Sequence, residues 1–267
     1  ANTTGTRNTA VGSLALDANT TGDDNTVVGQ SAGSTITTGH DNTLIGSYAG
    51  DNITTGGSNT ALGTETLDAT TTASNNTAVG YRAMQLNTTG ASNVAVGFQA
   101  LDANTTAANN TAVGSVALGA NTTGSSNIAV GGLALSSNTT AVQNTAVGFN
   151  CLRDTTTGAS NVAVGEGAQI QSTTAQQNVA IGRKAMFGNT TGSDNTALGF
   201  EAGSAIQSGG NNICIGKKAD AVHDSANSIT IGVGITGVGN NFRFGKASNT
   251  VTNVFTTNAS FSRSSDV

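Results

Sequence analysis

Four aromatic side chains, Tyr81, Phe98, Phe149 and Phe200, share one place in the chain's repeating sequence, immediately after a glycine that never varies. Rings held at one corner of a rigid scaffold can stack on the faces of sugars, and they can equally cover a seam between subunits. These four are the candidate binding residues. Other groups with chemical potential are fewer. Asp23, Asp24 and Asp41 fall at one turn on neighbouring repeats and read as a solvated turn in preference to a shared Ca²⁺ site. His40 and His223 are the only histidines and no cluster of Cys or carboxylates accompanies either, so no metal site is expected. The run GVGITG, with Gly232, Gly234 and Gly237, spells a dinucleotide fingerprint without the helix or the downstream acid that would give it meaning. No Ser, His and Asp set and no isolated carboxylate pair stands out, so the chain is read as non-enzymatic and without a cofactor.

What positions these residues is a strict internal period. The Asn that opens the motif NTAVG falls at Asn8, Asn25, Asn42, Asn59, Asn76, Asn93, Asn110 and onward to Asn212, always 17 residues apart, and a second motif, NTTG or a relative, keeps the same beat. Seventeen residues are too few for a helix pair or a propeller blade. The unit N-T-A-V-G-x-x-A-L-x-x-N-T-T-G-x-x is strand and turn vocabulary, with no sustained helical period. The expectation is an all-β fold: a β-solenoid, or β-roll, of about fourteen 17-residue coils, each made of two short strands and two turns. At about 4.8 Å per coil the stack forms a rod of roughly 65 Å.

Strand alternation divides NTAVG into two faces. The fourth place is always a large aliphatic (Val11, Val28, Ile45, Leu62 and so on to Ile215), and is expected to fill the core. The third place, nearly always Ala, is expected to face outward and to form a second buried surface between chains. Small coils bury little by themselves, so an oligomer is expected, a trimer above all. Gly12 and its equivalents admit no substitute, as where the backbone needs a positive φ. The glycine of NTTG alternates with Ala73, Ala107, Ala141 and Ala175, so the demand there is for smallness. The Asn column, including Asn25, Asn42, Asn59, Asn76, Asn93 and Asn110, predicts a ladder of amide hydrogen bonds along the stack. Thr pairs such as Thr88-Thr89 and Thr105-Thr106 also stack, and regular Thr arrays on flat solenoids resemble those of ice-binding proteins.

Composition narrows the partners. The chain has 267 residues, 9% charged, with a net charge of −5, no Pro and no Trp. Its few Lys and Arg are scattered apart from Arg183-Lys184 and Lys217-Lys218, which is not the footprint of a nucleic-acid binder. No apolar run is long enough to span a bilayer as a helix. Cys151 and Cys214 sit about four coils, roughly 19 Å, apart, beyond the reach of a disulfide, and are read as small buried apolar residues. The chain opens in mid-repeat without Met and is read as a piece of a longer product. Residues 1–232 are expected to form the repeat shaft. Residues 233–267 lose the beat, gather Phe242, Phe244, Phe255 and Phe261, and are expected to cap the open sheet edge.

The NTAVG and NTTG coils resemble two related groups: the heads of trimeric autotransporter adhesins, with NSVAIG-like left-handed β-roll repeats, and the repeat shafts of bacteriophage tail fibres. The terminal FSRSSDV resembles the junction leading into an endosialidase-type intramolecular chaperone domain, which commonly opens Ser-Asp-x-Arg-Leu-Lys. In that family the chaperone trimerises the fibre and cleaves itself off between Ser and Asp, which would fall at Ser265 and Asp266. The Arg-Leu-Lys continuation is not part of this chain. The resemblance implies a left-handed, parallel homotrimeric fibre on a virion, attaching to a host cell-surface glycan or protein without entering the membrane. The alternatives are a trimeric adhesin head on a bacterial surface and an ice-binding solenoid.

Overall fold

The computed structural model describes residues 2–254. It is a parallel β-solenoid of about fourteen turns, in which thirteen three-residue strands, from β1 (Thr9–Val11) to β13 (Ile213–Ile215), stack at 17-residue intervals into one sheet. Val11 pairs with Val28, Ala10 with Val27, and the register never slips from one coil to the next as far as Ile215. Each coil has one strand, where two were expected. The NTTG segment stacks without regular strand geometry: Thr20 N–H donates to the Thr37 carbonyl and Thr88 N–H to that of Thr105, both at 2.9 Å. Its threonine hydroxyls repeat the pattern, Thr105 Oγ1 donating to the Thr122 carbonyl at 3.1 Å.

The core is the reverse of the one expected from alternation. The Ala row of the third place (Ala61, Ala78, Ala95, Ala112, Ala129), with Val27 and Leu44, is wholly buried, while Val11, Leu62 and Leu198 of the fourth place stand about half exposed. The reason is volume. A coil of 17 residues encloses a narrow interior, and that space is already taken by the Leu of the A-L corner (Leu67, Leu101, Leu118, Leu135, Leu152) and by the first residue of NTTG. Only Ala fits opposite them.

Three coils show the same constraint with the parts exchanged. Where the Leu place is Gly33, Gly50 or Gly203, the first NTTG residue becomes Ile36, Ile53 or Ile206, all buried. A Cβ at Gly50 would lie 2.7 Å from Ile53 Cδ1 and 3.0 Å from Leu44 Cδ1, so glycine vacates the volume that Ile and Leu occupy. The Leu place also has a left-handed backbone (Leu67 φ 54°, Met84 φ 55°, Leu101 φ 54°), which explains why Leu, Met, Gln and Gly appear there and no β-branched residue does.

Two columns of buried amides lie along the rod, one continuous and one interrupted. In the first, the Asn76 side-chain oxygen accepts from the Asn93 backbone N–H at 2.9 Å, while Asn76 Nδ2 donates to the Gly90 carbonyl at 3.0 Å. Asn25, Asn42, Asn59, Asn93 and Asn110 make equivalent bonds. The second column comes from NTTG: Asn104 Nδ2 donates to Asn87 Oδ1 at 2.7 Å and Asn121 Nδ2 to Asn104 Oδ1 at 3.1 Å. It breaks wherever the next coil offers Ile or Thr. Asn19, Asn138 and Asn189 lie below Ile36, Thr155 and Ile206, and their side-chain oxygens have no hydrogen-bond partner.

Above β13 the coils shorten. β15 (Ile229–Val233) pairs in parallel with β13, β17 (Asn241–Lys246) with β15, and β18 (Asn249–Val254) folds back antiparallel on β17. β14 (Asp220–Ala221) and β16 (Thr236–Gly237) form a separate two-stranded ladder. Phe242 and Phe244 stack at 5.7 Å over the end of the sheet. Phe255, Phe261 and the Ser265-Asp266 junction lie outside the described residues.

Candidate functional site

The corner after each strand is built by two backbone requirements. The constant glycine has φ between 119° and 152° from Gly12 to Gly232. A Cβ at Gly114 would also lie 2.6 Å from the carbonyl carbon of Gly131 in the next coil, so the position is closed by conformation and by space together. The NTTG glycines have no positive φ, which agrees with a demand for smallness alone. Two residues after the constant glycine the chain turns through the left-handed region (Tyr48 φ 57°, Arg82 φ 57°, Lys184 φ 56°), which throws the two variable side chains outward. Stacked coils convert these two places into two columns along one edge of the rod.

The four aromatics occupy the first column at different heights. Tyr81 and Phe98 are consecutive and stack with ring centroids 5.8 Å apart and planes 19° apart. Arg82 lies 5.0 Å over the Tyr81 ring, and its Nε donates to Glu65 Oε2 at 2.5 Å, so both ring and cation are held. Phe149 stands alone, more than half exposed, its ring lying over Gly132 of the coil before. Phe200 sits between Arg183, 5.7 Å from its centroid, and Lys217, 6.0 Å away. The column therefore holds separate aromatic clusters and no continuous stack. The basic neighbours of Phe200 were the part that reading from aromatics alone missed. Their signal was Arg183-Lys184 and Lys217-Lys218 standing 34 residues, or two coils, apart.

Elsewhere the polar groups are engaged locally. Asp23 accepts from Thr6 N–H and Thr6 Oγ1, bonds that hold its carboxyl below the usual carboxylate range, and Arg7 does the same to Asp24 at 2.5 Å. Asp41 faces His40 Nδ1 at 2.8 Å. Each acid has its own partner, and among the described residues no three His, Cys, Asp or Glu side chains gather as a metal site. The two cysteines are free and fully buried, and burial pushes both thiols up to about 12. In each Thr pair the first hydroxyl is spent inside the stack, leaving one exposed column (Thr72, Thr89, Thr106). From Asn19 onward the Asn of each NTT triplet, a formal glycosylation sequon, is buried with its amide nitrogen bonded, as at Asn104 and Asn121, which closes those sequons to a glycan in the folded rod.

The corner borders a second feature, the outer face of the sheet. Its rows are the second and fourth places of β1 to β13: Thr, Val or Ile beside Val, Ile or Leu, twenty-six side chains without a charge. Three residues of width and thirteen strands of height give roughly 600 Å² of flat surface, the upper end of what monomeric proteins leave to water. No helix among the described residues is long and apolar enough to cross a membrane. Comparison with protein-family models and with curated proteins returns no match.

Proposed function

We propose that the chain is a shaft and receptor-binding segment of a bacteriophage tail fibre: a non-enzymatic homotrimer whose coils space and present a binding edge to the host cell surface. The observation that carries this reading is the uncharged outer sheet face. A rod that exposes Val11, Leu62, Val130 and Leu198 in one unbroken aliphatic row calls for a partner of the same length and period, and another copy of the chain in parallel register supplies it. Three such faces turned toward one axis would bury the rows and leave the variable corners outside. The number three and the virion setting come from the resemblance to fibre shafts and trimeric adhesin heads, and the cap over β17 and β18 is read as the step toward a trimerising chaperone beyond Asp266.

A second reading is favoured by one observation, the flat regularity of that same face. Thr9, Thr26, Thr43, Thr60 and Thr77 form a ladder beside the valine row, and in a chain that stays single such an array is what an ice-binding solenoid would present. Solution mass separates the two: a trimer covers the face, a monomer offers it. An ice-recrystallisation assay on the purified chain tests the second reading directly.

A further inference from the structure

Charge is distributed unevenly along the rod. Residues 2–102 carry eight carboxylates and two Lys or Arg, whereas residues 183–254 carry six Lys or Arg and four carboxylates. Four of those six cations, Arg183, Lys184, Lys217 and Lys218, lie on the variable corner within three consecutive coils, with Phe200 at the centre. Two of the four are neutralised: Arg183 Nε lies 3.2 Å from Glu166 and Lys218 Nζ 3.3 Å from Glu201. Lys184 and Lys217 face no carboxylate within ion-pair distance among the described residues, and each lies instead near a ring, Lys184 Nζ 5.4 Å from the Phe187 centroid and Lys217 Nζ 6.0 Å from that of Phe200.

We propose that this corner, on coils 11 to 13, binds an acidic polysaccharide lying along the rod, with Lys184 and Lys217 on its carboxylates and Phe200 and Phe187 against its sugar rings. The assignment deepens the receptor-binding reading given above and rests on it. Three features select the ligand class. Ammonium groups placed beside rings match a polymer in which anionic groups alternate with apolar sugar faces. Arg183, 5.7 Å from the Phe200 centroid, is braced by Glu166, so one side of that ring carries a cation in a fixed position. The narrow stripe, on a chain of net charge −5, is too small a basic area for the phosphate tracking of a nucleic-acid groove. The acidic lower third of the rod would repel the same polymer and confine it to this end.

The test uses the full chain with polygalacturonate as probe, neutral dextran as control and single-stranded oligothymidylate as the competing polyanion. The expected result is binding of polygalacturonate that weakens with added salt, no binding of dextran, and weaker binding of oligothymidylate. Lys184→Ala with Lys217→Ala should weaken polygalacturonate binding about tenfold or more, and Phe200→Leu, which keeps the charge, should weaken it by up to about tenfold. Arg7→Ala, at the far end, should leave it unchanged. Binding that ignores both Lys184→Ala/Lys217→Ala and Phe200→Leu, equal binding of dextran, or preference for oligothymidylate would overturn the assignment. The mass of the assembly, read on the same samples, tests the fibre reading separately, so a trimer indifferent to polygalacturonate overturns this site alone.

Discussion

At the scale of single residues, the rod is held by groups whose partners lie one coil away, so a local change is felt by the coil above. Asn76→Ala removes the acceptor of the Asn93 N–H, leaving that buried donor without a partner, and takes away one of the two donors to the Gly90 carbonyl, which keeps Asn87 Nδ2. The expected loss is about 1–3 kcal/mol in equilibrium unfolding, with amide exchange accelerated first in the coils containing Asn76 and Asn93; Thr72→Ala, on the exposed column, should cost under about 0.5 kcal/mol. Asp68 behaves in the opposite sense. Burial, then the charges of Asp51 and Glu65, hold its carboxyl above the ordinary range. A raised folded pKa means that the ionised form is disfavoured in the rod, so its contribution favours folding below the unfolded-state value and is lost as pH rises through the folded one. Asp68→Asn should therefore be more stable than the parent at neutral pH, with the difference fading below about pH 4; no difference at pH 7 would contradict this account of its surroundings.

At the scale of the coil, the sequence announces its period plainly and its polarity poorly. Stacking, the constant glycine, the first Asn column and the absence of helix follow from spacing and residue type. Which face turns inward does not, because alternation fixes that two faces exist and leaves open which is which. Large aliphatics looked like core and Ala like surface; the deciding fact was invariance of size. Ala10 and its successors give way to Val27 and Leu44, where Gly33 and Gly50 make room, and otherwise only to the small Cys214, while the fourth place accepts Val, Ile or Leu without any compensation. The second Asn column was equally available in NTTG, and was missed because Ile36, Ile53, Thr155 and Ile206 interrupt it. Two substitutions check the revised assignment. Leu118→Ala should cost about 2–5 kcal/mol by opening a cavity in the coil, and Gly114→Ala should be at least comparably damaging, since its φ of 133° and its closeness to Gly131 both reject a side chain. Measured against each other by thermal unfolding, a mild Leu118→Ala would return the core to the valine row.

At the scale of the whole molecule, the two surfaces divide the work. On the proposed assembly, the sheet face is uniform from Thr9 to Ile215 because a neighbour with the same period would meet it everywhere, and the corner varies because its side chains point outward. Corner composition, uncharged over the lowest coils from Ser13 to Tyr48 and basic at Arg183-Lys184 and Lys217-Lys218 near the upper end, was visible in the sequence as separate dipeptides; their merger into one stripe needed the coil geometry. The account stands on burial of the sheet face between copies. Its most direct test is the solution mass of the chain by light scattering, beside that of Val130→Lys with Val147→Lys, two changes on the exposed row of that face. The account predicts three times the 26.2 kDa of one chain for the parent and 26.2 kDa, with the β-sheet spectrum retained, for the double variant. A parent that runs as a single chain, or a double variant that still assembles, would contradict it.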